Sequence, residues 1–131
     1  MSYASYGNLG KPKAPALESM AEIERIISLE HRDSVKEKFP IVIIKNYTEW
    51  CGPCKTIAPL FAQLAKKYLD KYKDNIAFVK ENAEDELEGA ERCRGVPCFH
   101  FFLKGKFVPG LTVTGCNLKT IEENIGKLLN L

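Results

Sequence analysis

The chain has 131 residues, of which 45% are hydrophobic and 27% are charged, and its formal net charge is +2 at pH 7. This length and composition predict one soluble globular domain. So small a charge gives no reason to expect nucleic acid or a membrane surface as a partner, and no apolar run approaches the roughly 20 residues of a membrane span. Five cysteines cannot all pair with one another, which favours a reducing compartment, so we expect a cytoplasmic protein.

Residues 1–15 contain serine, tyrosine, glycine, asparagine, lysine and two prolines without apolar periodicity. We predict a flexible N-terminal arm here and a single domain over residues 16–131. The arm lacks the apolar core of a secretory signal. Its tyrosines leave a second role open, as an anchor for a partner, although a loose terminus is the favoured interpretation.

A helix is the first element predicted after the arm. Ser19 and Glu22 have the spacing of a capping box, and apolar residues then recur at helical intervals over residues 19–30. An early edge strand within residues 26–31 is the alternative. His31 is expected to lie near the end of this helix as a partner for its dipole, and residues 33–39 to form a short helical turn.

The following segments alternate between strand and helix patterns. Residues 41–44 form a continuous apolar run, typical of a central strand buried on both faces, and a helical pattern extends from about residue 55 to 72. Residues 76–80 predict the next strand, and residues 84–92 a short charged helix.

Two extended runs, 99–103 and 106–114, flank Lys104 and Gly105 and predict an antiparallel hairpin. Pro109 and Gly110 are expected to interrupt its second strand. Asn117 is a suitable N-cap for a final amphipathic helix.

A Cys-x-x-Cys pair lies between the predicted central strand and the long helix, in the hexapeptide Trp-Cys-Gly-Pro-Cys-Lys at residues 50–55. Its spacing puts Cys51 and Cys54 on the first helical turn, where unpaired N–H groups and the positive end of the helix dipole favour a thiolate. Gly52 permits close approach of a partner, and Pro53 suits the first turn. The alternative is two unrelated cysteines or half of a zinc site, and few other ligand pairs exist to complete such a site.

This hexapeptide matches the active-site signature of the thioredoxin family residue for residue, and the chain resembles that family over about residues 40–131. The resemblance implies the α/β thioredoxin fold, a central mixed sheet of four to five strands flanked by helices on both faces. It implies thiol–disulfide exchange, with Cys51 as the nucleophile and Cys54 as the partner that completes a redox-active disulfide. It also implies disulfide-containing target proteins, no tightly bound cofactor, and electrons from an NADPH-dependent flavoprotein reductase. We expect a monomer.

Further residues resemble the family's substrate-binding surface. Gly95, Val96 and Pro97 resemble the loop that faces the active cysteines, in which the proline is cis, and Gly115 resembles the glycine of a neighbouring loop. A cis-proline turn presents the backbone of the preceding residue, so that an extended substrate can pair with it as an added strand. The predicted substrate-binding residues are therefore Trp50, Gly52, Pro53, Val96, Pro97 and Gly115.

The chain departs from the family pattern directly before the motif. Lys45 stands where the family usually has a buried acid, Asn46 follows where an apolar residue is usual, and Lys80 matches the lysine that pairs with the missing acid. In one interpretation the Lys45 charge stabilises the thiolates and makes the pair more oxidising, so that Lys45 and Lys80 tune the cysteine pKa values. In the other, Lys45 reaches the surface and has little effect. The closeness of two lysines would also leave one of them neutral, displaced, or paired with Glu49, Glu81 or Glu84.

Three further cysteines lie outside the motif. Cys98 replaces the threonine that commonly follows the cis-proline, and two roles are open for it: a third redox partner or off-pathway bridge, or the favoured role of a small core side chain. We expect Cys93 in the core and Cys116 to be exposed and open to dimer formation or modification. No metal site is predicted, because His100 alternates with core positions and His31 is distant in sequence.

Three functions remain open on these grounds. The first is a general protein disulfide reductase. The second is a related enzyme biased towards disulfide oxidation or isomerisation, which Lys45 motivates. The third is a partner-docking module with weak redox activity, which Lys45, Asn46 and the N-terminal arm motivate. The intact cysteine pair together with Pro97 argues against the third, because docking alone does not need two thiols.

Overall fold

The structure is a computed structural model that describes residues 21–87 and 93–131. The predicted arm, the start of the predicted first helix and most of the predicted charged helix lie outside these residues. The helices and strands are β1 (Glu24–Arg25), α1 (Leu29–Lys38), β2 (Ile41–Tyr47), α2 (Gly52–Tyr72), β3 (Ile76–Asn82), β4 (Cys98–Leu103), β5 (Lys106–Phe107), β6 (Val113–Thr114) and α3 (Leu118–Leu129).

The strands form one mixed sheet in the order β1-β3-β2-β4-β5, with β6 also paired to β4. Strands β1, β3 and β2 run parallel, and β4 runs antiparallel to β2. The sheet has six strands rather than four to five, because a 3-10 turn at Pro109–Leu111 divides the second hairpin strand into β5 and β6. The proline lacks the N–H that a continuous strand would use there, so the predicted interruption is confirmed.

Strand β2 lies at the centre and sends alternate side chains to opposite faces. Ile41 and Ile43 join one core cluster with residues of α2 and α3, and we call this side the α2 face. Val42 and Ile44 join a second cluster with Val35 of α1, and we call that side the α1 face. Helices therefore cover both faces, as the family resemblance implied.

The described part of the first predicted helix is not one helix, because Glu24–Arg25 form the strand β1 and α1 begins only at Leu29, so that prediction was wrong. Strand β1 pairs with β3 in parallel, Glu24 opposite Val79 and Arg25 opposite Lys80. Ile23 packs on the α2 face and Ile26 on the α1 face. Residues three positions apart share one face of a helix but opposite faces of a strand, so a strand covered on both sides produced the apparent helical spacing. The strand also precedes the alternative placement at residues 26–31.

Helix α1 starts earlier and is longer than the short turn predicted at residues 33–39. Ser28 is its N-cap, and the Ser28 hydroxyl oxygen accepts from the His31 N–H at 3.0 Å. His31 therefore lies in the first turn of α1 rather than at the C-terminal end of a preceding helix, and its Nε2 is 2.7 Å from a Glu24 carboxylate oxygen. This cap, shortly after β1, fixes where the chain turns onto the α1 face.

Two other local predictions have clear outcomes. Residues Ala83–Asp85 form a 3-10 turn where the charged helix was expected to begin, and residues 88–92 lie outside the described part. Asn117 caps α3 through a hydrogen bond from the Thr120 N–H to its side-chain oxygen at 3.1 Å, as predicted. Within the described ranges, no helix combines the length and apolar character needed to cross a bilayer.

Candidate active site

The Cys-x-x-Cys pair lies at the start of α2, just after the connection from β2. Cys51 is the N-cap of α2, and the Cys54 N–H donates to Cys51 Sγ at 3.0 Å. The two cysteines form a disulfide with Cα atoms 5.2 Å apart. Cys51 is 9% exposed and Cys54 3%, so the first sulfur is the more accessible one. A thiolate at Cys51 would receive both this N–H and the positive end of a 21-residue helix.

A loop from another part of the chain faces Cys51. The Val96–Pro97 peptide bond is cis, as the resemblance implied, and the Val96 carbonyl oxygen lies 3.7 Å from Cys51 Sγ. The Gly115 N–H donates to the Pro97 carbonyl oxygen at 2.8 Å, which ties the neighbouring loop to this turn. The structure thus brings together residues that are 45 or more positions apart in sequence.

Around Cys51 these elements leave an accessible area, which we call the docking surface, formed by Trp50, Gly52, Pro53, Val96 and Gly115. Trp50 is 70% exposed, which is unusual for a tryptophan and typical of an interaction site. Pro97 is itself buried and so contributes its fixed turn rather than contact area.

Gly115 has a backbone conformation that favours glycine. A Cβ atom placed there would meet no atom of the described chain within 4 Å, so glycine is not needed for internal space. Its φ of +94° is the local requirement, because side chains with a Cβ rarely adopt that conformation. Cys116, the next residue, is exposed as expected, and its thiol donates to the Pro53 carbonyl oxygen at 3.3 Å. Partial burial raises the pKa of the Cys116 thiol.

Lys45 lies behind the pair, on the α2 face. It is 5% exposed, so it does not reach the surface as one interpretation held. Its amine lies 5.7 Å from the Phe61 ring centroid and 5.8 Å from that of Tyr47. Lys80 is its partner in the β2–β3 register, and burial together with the Lys80 charge lowers the pKa of Lys45 to about 8. Lys45, Lys80 and Cys54 line one cavity of about 170 Å³.

Of the carboxylates considered as partners of the two lysines, Glu49 lines the same cavity without an ion pair to either lysine, and Glu81 is bound elsewhere. Glu81 is fully buried on the α1 face, where its oxygens accept from Arg32 at 2.7 and 2.5 Å. Among the described residues, no carboxylate forms an ion pair with Lys45. Its charge therefore faces aromatic rings and a second lysine rather than an anion.

A second cysteine pair was missed in the sequence. Cys93 and Cys98 form a disulfide with Cα atoms 6.1 Å apart. Cys93 is only half-buried and does not fill the core, and Cys98 is a bridge partner rather than a small apolar filler. The available signal was the position of the two cysteines on either side of Pro97, because a tight turn brings its flanking residues together.

His100 lies next to both sulfurs of this second pair. Its Nε2 lies 3.3 Å from Cys93 Sγ and 3.7 Å from Cys98 Sγ, and the three donor atoms all lie within 4.8 Å of one another. Cys98 and His100 are two residues apart on β4 and so share a face, which sequence spacing alone indicates. Asn46, also fully buried, places Nδ2 3.2 Å from His100 Nδ1.

Comparison with known proteins agrees with this geometry. The family model described as Thioredoxin matches residues 22–127. The thioredoxin of Ovis aries is 33% identical over 102 residues, which are 76% of this chain and 89% of that protein. Thioredoxin-like protein 1 of Schizosaccharomyces pombe is 36% identical over 108 residues, which are 81% of this chain but only 35% of that protein. A solved structure of Plasmodium falciparum thioredoxin superposes with a TM-score of 0.68 at 28% identity, covering 80% of this chain and 98% of that one.

The family match covers most of the chain and includes the cysteine pair at the start of α2 together with the facing cis-proline turn. The chain therefore belongs to the thioredoxin family and is a thiol–disulfide oxidoreductase.

Proposed function

We propose that this oxidoreductase works as a protein disulfide reductase, which passes two electrons from the Cys51–Cys54 dithiol to disulfides of target proteins. The observation that carries the proposal is the position of Cys51 Sγ at the start of α2, 3.7 Å from the Val96 carbonyl and next to the exposed Trp50. This is a nucleophile beside a surface on which a polypeptide can dock.

Cys51 is the nucleophile and Cys54 the resolving cysteine. In the reduced protein the Cys51 thiolate attacks one sulfur of the target disulfide, which forms a mixed disulfide and releases the other target sulfur as a thiolate. Cys54 then attacks Cys51 Sγ, which forms the intramolecular disulfide and frees the second target sulfur. The target takes up two protons as its two thiols form, and the two cysteines supply the electrons.

The docking surface positions the target for this attack. An extended target segment pairs with the exposed backbone of Val96, and Trp50 covers its apolar side chains. Pro97 has no backbone N–H that would compete for the approaching sulfur. An NADPH-dependent flavoprotein reductase then reduces the Cys51–Cys54 disulfide, and this chain needs no tightly bound cofactor of its own.

Variants of the two cysteines test this assignment. Cys54→Ser should accumulate covalent mixed disulfides with target proteins, because the resolving thiol is absent, whereas Cys51→Ser should form none. The measurement is non-reducing electrophoresis and intact mass after incubation with an oxidised target such as insulin. Adducts on Cys51→Ser but not on Cys54→Ser would reverse the roles.

A second candidate, an enzyme biased towards disulfide oxidation or isomerisation, is favoured by one observation. A buried Lys45 lines the same cavity as Cys54, and a cation there stabilises thiolates and hence the reduced form. Redox titration of the Cys51–Cys54 pair distinguishes the candidates: a potential near −270 mV supports a reductase, and one above about −180 mV supports an oxidant.

A further inference from the structure

The second cysteine pair differs from an ordinary structural bridge because an imidazole contacts both of its sulfurs. His100 Nε2 lies 3.3 Å from Cys93 Sγ and 3.7 Å from Cys98 Sγ. A bridge that only restricts the unfolded chain needs no proton donor beside it. A dithiol that opens and closes does benefit from one, because each sulfur gains or loses a proton as the bond breaks or forms.

The two sulfurs are unequally accessible. Cys93 is half-buried in a loop, whereas Cys98 is 0% exposed on β4. An incoming thiol therefore reaches Cys93 Sγ, and Cys98 is the sulfur displaced inside the protein. Cys51 and Cys54 show the same order of exposure, 9% against 3%.

Asn46 sets the protonation of the imidazole. Its Nδ2, which can only donate, lies 3.2 Å from His100 Nδ1, so Nδ1 accepts and the ring proton lies on Nε2, facing the sulfurs. The Asn46 Oδ1 is buried and has no hydrogen-bond partner among the described residues, which costs about 1–3 kcal/mol.

A half-turn of the Asn46 amide reverses this arrangement. Oδ1 then accepts from Nδ1–H, and Nε2 turns a lone pair towards the sulfurs. In this arrangement Nε2 can take the proton of an incoming thiol, and the imidazolium, held at Nδ1–H by Oδ1, can return that proton to the sulfur that leaves. An amide with a spare acceptor is what such an exchange requires, whereas a purely structural contact leaves the buried oxygen unexplained.

We infer that Cys93 and Cys98 form a second redox-active dithiol–disulfide centre, in which His100 is the acid–base catalyst and the substrates are low-molecular-weight thiols and disulfides. A half-buried sulfur admits a small thiol more readily than a protein surface. The inference goes beyond the function proposed for Cys51 and Cys54 and stands independently of it.

The exchange balances as follows. With Nδ1–H bound to Asn46 Oδ1, His100 Nε2 takes the proton of an incoming thiol, and the resulting thiolate attacks Cys93 Sγ. The Cys93–Cys98 bond breaks, its electron pair leaves on Cys98 Sγ, and Cys98 takes the proton from His100 Nε2. A second incoming thiol attacks the sulfur of the first, which releases Cys93 as a thiol and leaves the two incoming sulfurs joined as a disulfide. Two external thiols are oxidised and one protein disulfide is reduced. The proton of the first thiol passes through His100 to Cys98, and the proton of the second protonates Cys93.

The test uses the full chain carrying Cys51→Ser and Cys54→Ser, which leaves three of the five cysteines. This protein is equilibrated with mixtures of reduced and oxidised glutathione, in parallel with and without a chelator, quenched with acid and alkylated, and its thiols are counted by intact mass. The count should rise in one transition from one thiol, Cys116, to three. The same chain with Cys93→Ser added is the matched control and should show two thiols throughout.

Three results would overturn the inference. The first is a pair that stays closed at every ratio in the folded chain yet opens after denaturation, which is a structural bridge. The second is a pair that is open at every ratio. The third is a pair that oxidises only once the chelator is present, which is a site for a thiophilic metal ion. In the wild-type chain, peptide mapping of Cys93 and Cys98 after the same equilibration guards against a folding defect in the variant.

The role of His100 has its own test. In the doubly substituted chain, His100→Gln should slow the approach of the Cys93–Cys98 pair to equilibrium with glutathione by about 10²-fold, because the imidazole no longer donates or accepts the proton. Circular dichroism establishes that the variant is folded. An unchanged rate in a folded variant would remove His100 from the chemistry.

Discussion

The two faces of the sheet carry different cysteine pairs, although one strand, β2, supports both. Lys45 and Asn46 are consecutive and therefore point to opposite faces. Lys45 shares a cavity with Cys54 on the α2 face, and Asn46 contacts His100 beside Cys98 on the α1 face. The α2 face thus places a cation behind its pair, whereas the α1 face places a neutral amide and imidazole beside its own.

Charge is balanced differently on the two faces as well. On the α1 face a buried cation, Arg32, is bound to a buried anion, Glu81. On the α2 face the cation Lys45 faces Lys80 and two aromatic rings, and burial together with the Lys80 charge lowers the pKa of Lys45 to about 8. A polar side chain at the end of β2 therefore lies beside the first cysteine pair or the second according to which of two consecutive positions it occupies.

The largest expected effect separates the two pairs by activity. Cys51→Ser should reduce insulin turnover, with dithiothreitol as the electron source, to the uncatalysed rate, because the nucleophile at the start of α2 is lost. Cys93→Ser should retain most of that turnover, because its sulfur lies on the other side of the cis turn. An equal loss in both variants would mean that the two pairs act as one centre.

The ion pair on the α1 face gives the next effect. Arg32→Met should destabilise the fold by about 3–5 kcal/mol, because it leaves the fully buried Glu81 carboxylate without its partner. Replacing both residues by methionine should recover most of that loss, since no unpaired charge remains. Urea unfolding of the two single variants and the double variant measures the coupling, and additive losses would show that the two charges do not depend on each other.

Much of this arrangement follows from local sequence, and the rest depends on register. Short stretches of sequence are enough to predict the central strand, the long helix, the hairpin and the Asn117 cap. The same is true of the Cys-x-x-Cys motif. Strand β1 does not, because apolar residues on both faces of a short strand imitate helical spacing. The Cys93–Cys98 pair and its contact with His100 require the turn at Pro97 and the alternation along β4 to be considered together. Lys45 is buried because α2 covers it, and the sequence around Lys45 does not predict that contact.

Replacement of Lys45 by an uncharged residue should increase the stability of the folded protein. Its pKa is lowered from 10.5 to about 8, so the folded chain disfavours the charged form by roughly 3 kcal/mol. Lys45→Met should therefore stabilise the protein by about that amount below pH 8, where the lysine is charged both folded and unfolded. Between pH 8 and 10.5 the unfolded chain holds the extra proton, so the wild type gains stability as pH rises, and above 10.5 the two proteins should converge. Denaturant titrations at a series of pH values measure this.

Lys80→Met is the matched control for that experiment. Lys80 is its register partner but only half-buried, so its own removal should stabilise the fold less. It also removes the like charge beside Lys45, which should raise the pKa of Lys45 and move the pH dependence upward. A Lys45→Met variant that is less stable than the wild type at pH 7 would show that contacts of the lysine stem outweigh its buried charge.

The smallest expected effect connects this charge to the chemistry of the first pair. A cation near Cys54 stabilises the thiolate and so the reduced form, hence Lys45→Met should lower the reduction potential of Cys51–Cys54 by about 30 mV for each pKa unit of thiol stabilisation. Because Lys45 loses its proton around pH 8, the difference from the wild type should be present at pH 7 and fade above pH 8. Lys45→Asp should lower the potential further, since it places an anion there. Glutathione titration of the Cys51–Cys54 pair across that pH range measures the potential of both variants. The Cys93–Cys98 potential in the same samples is the internal control. It should not change, because Lys45 points to the other face of the sheet. A shift in both pairs would indicate a general change in the fold, and a shift in neither would show that the charge at the end of β2 has no part in setting the potential.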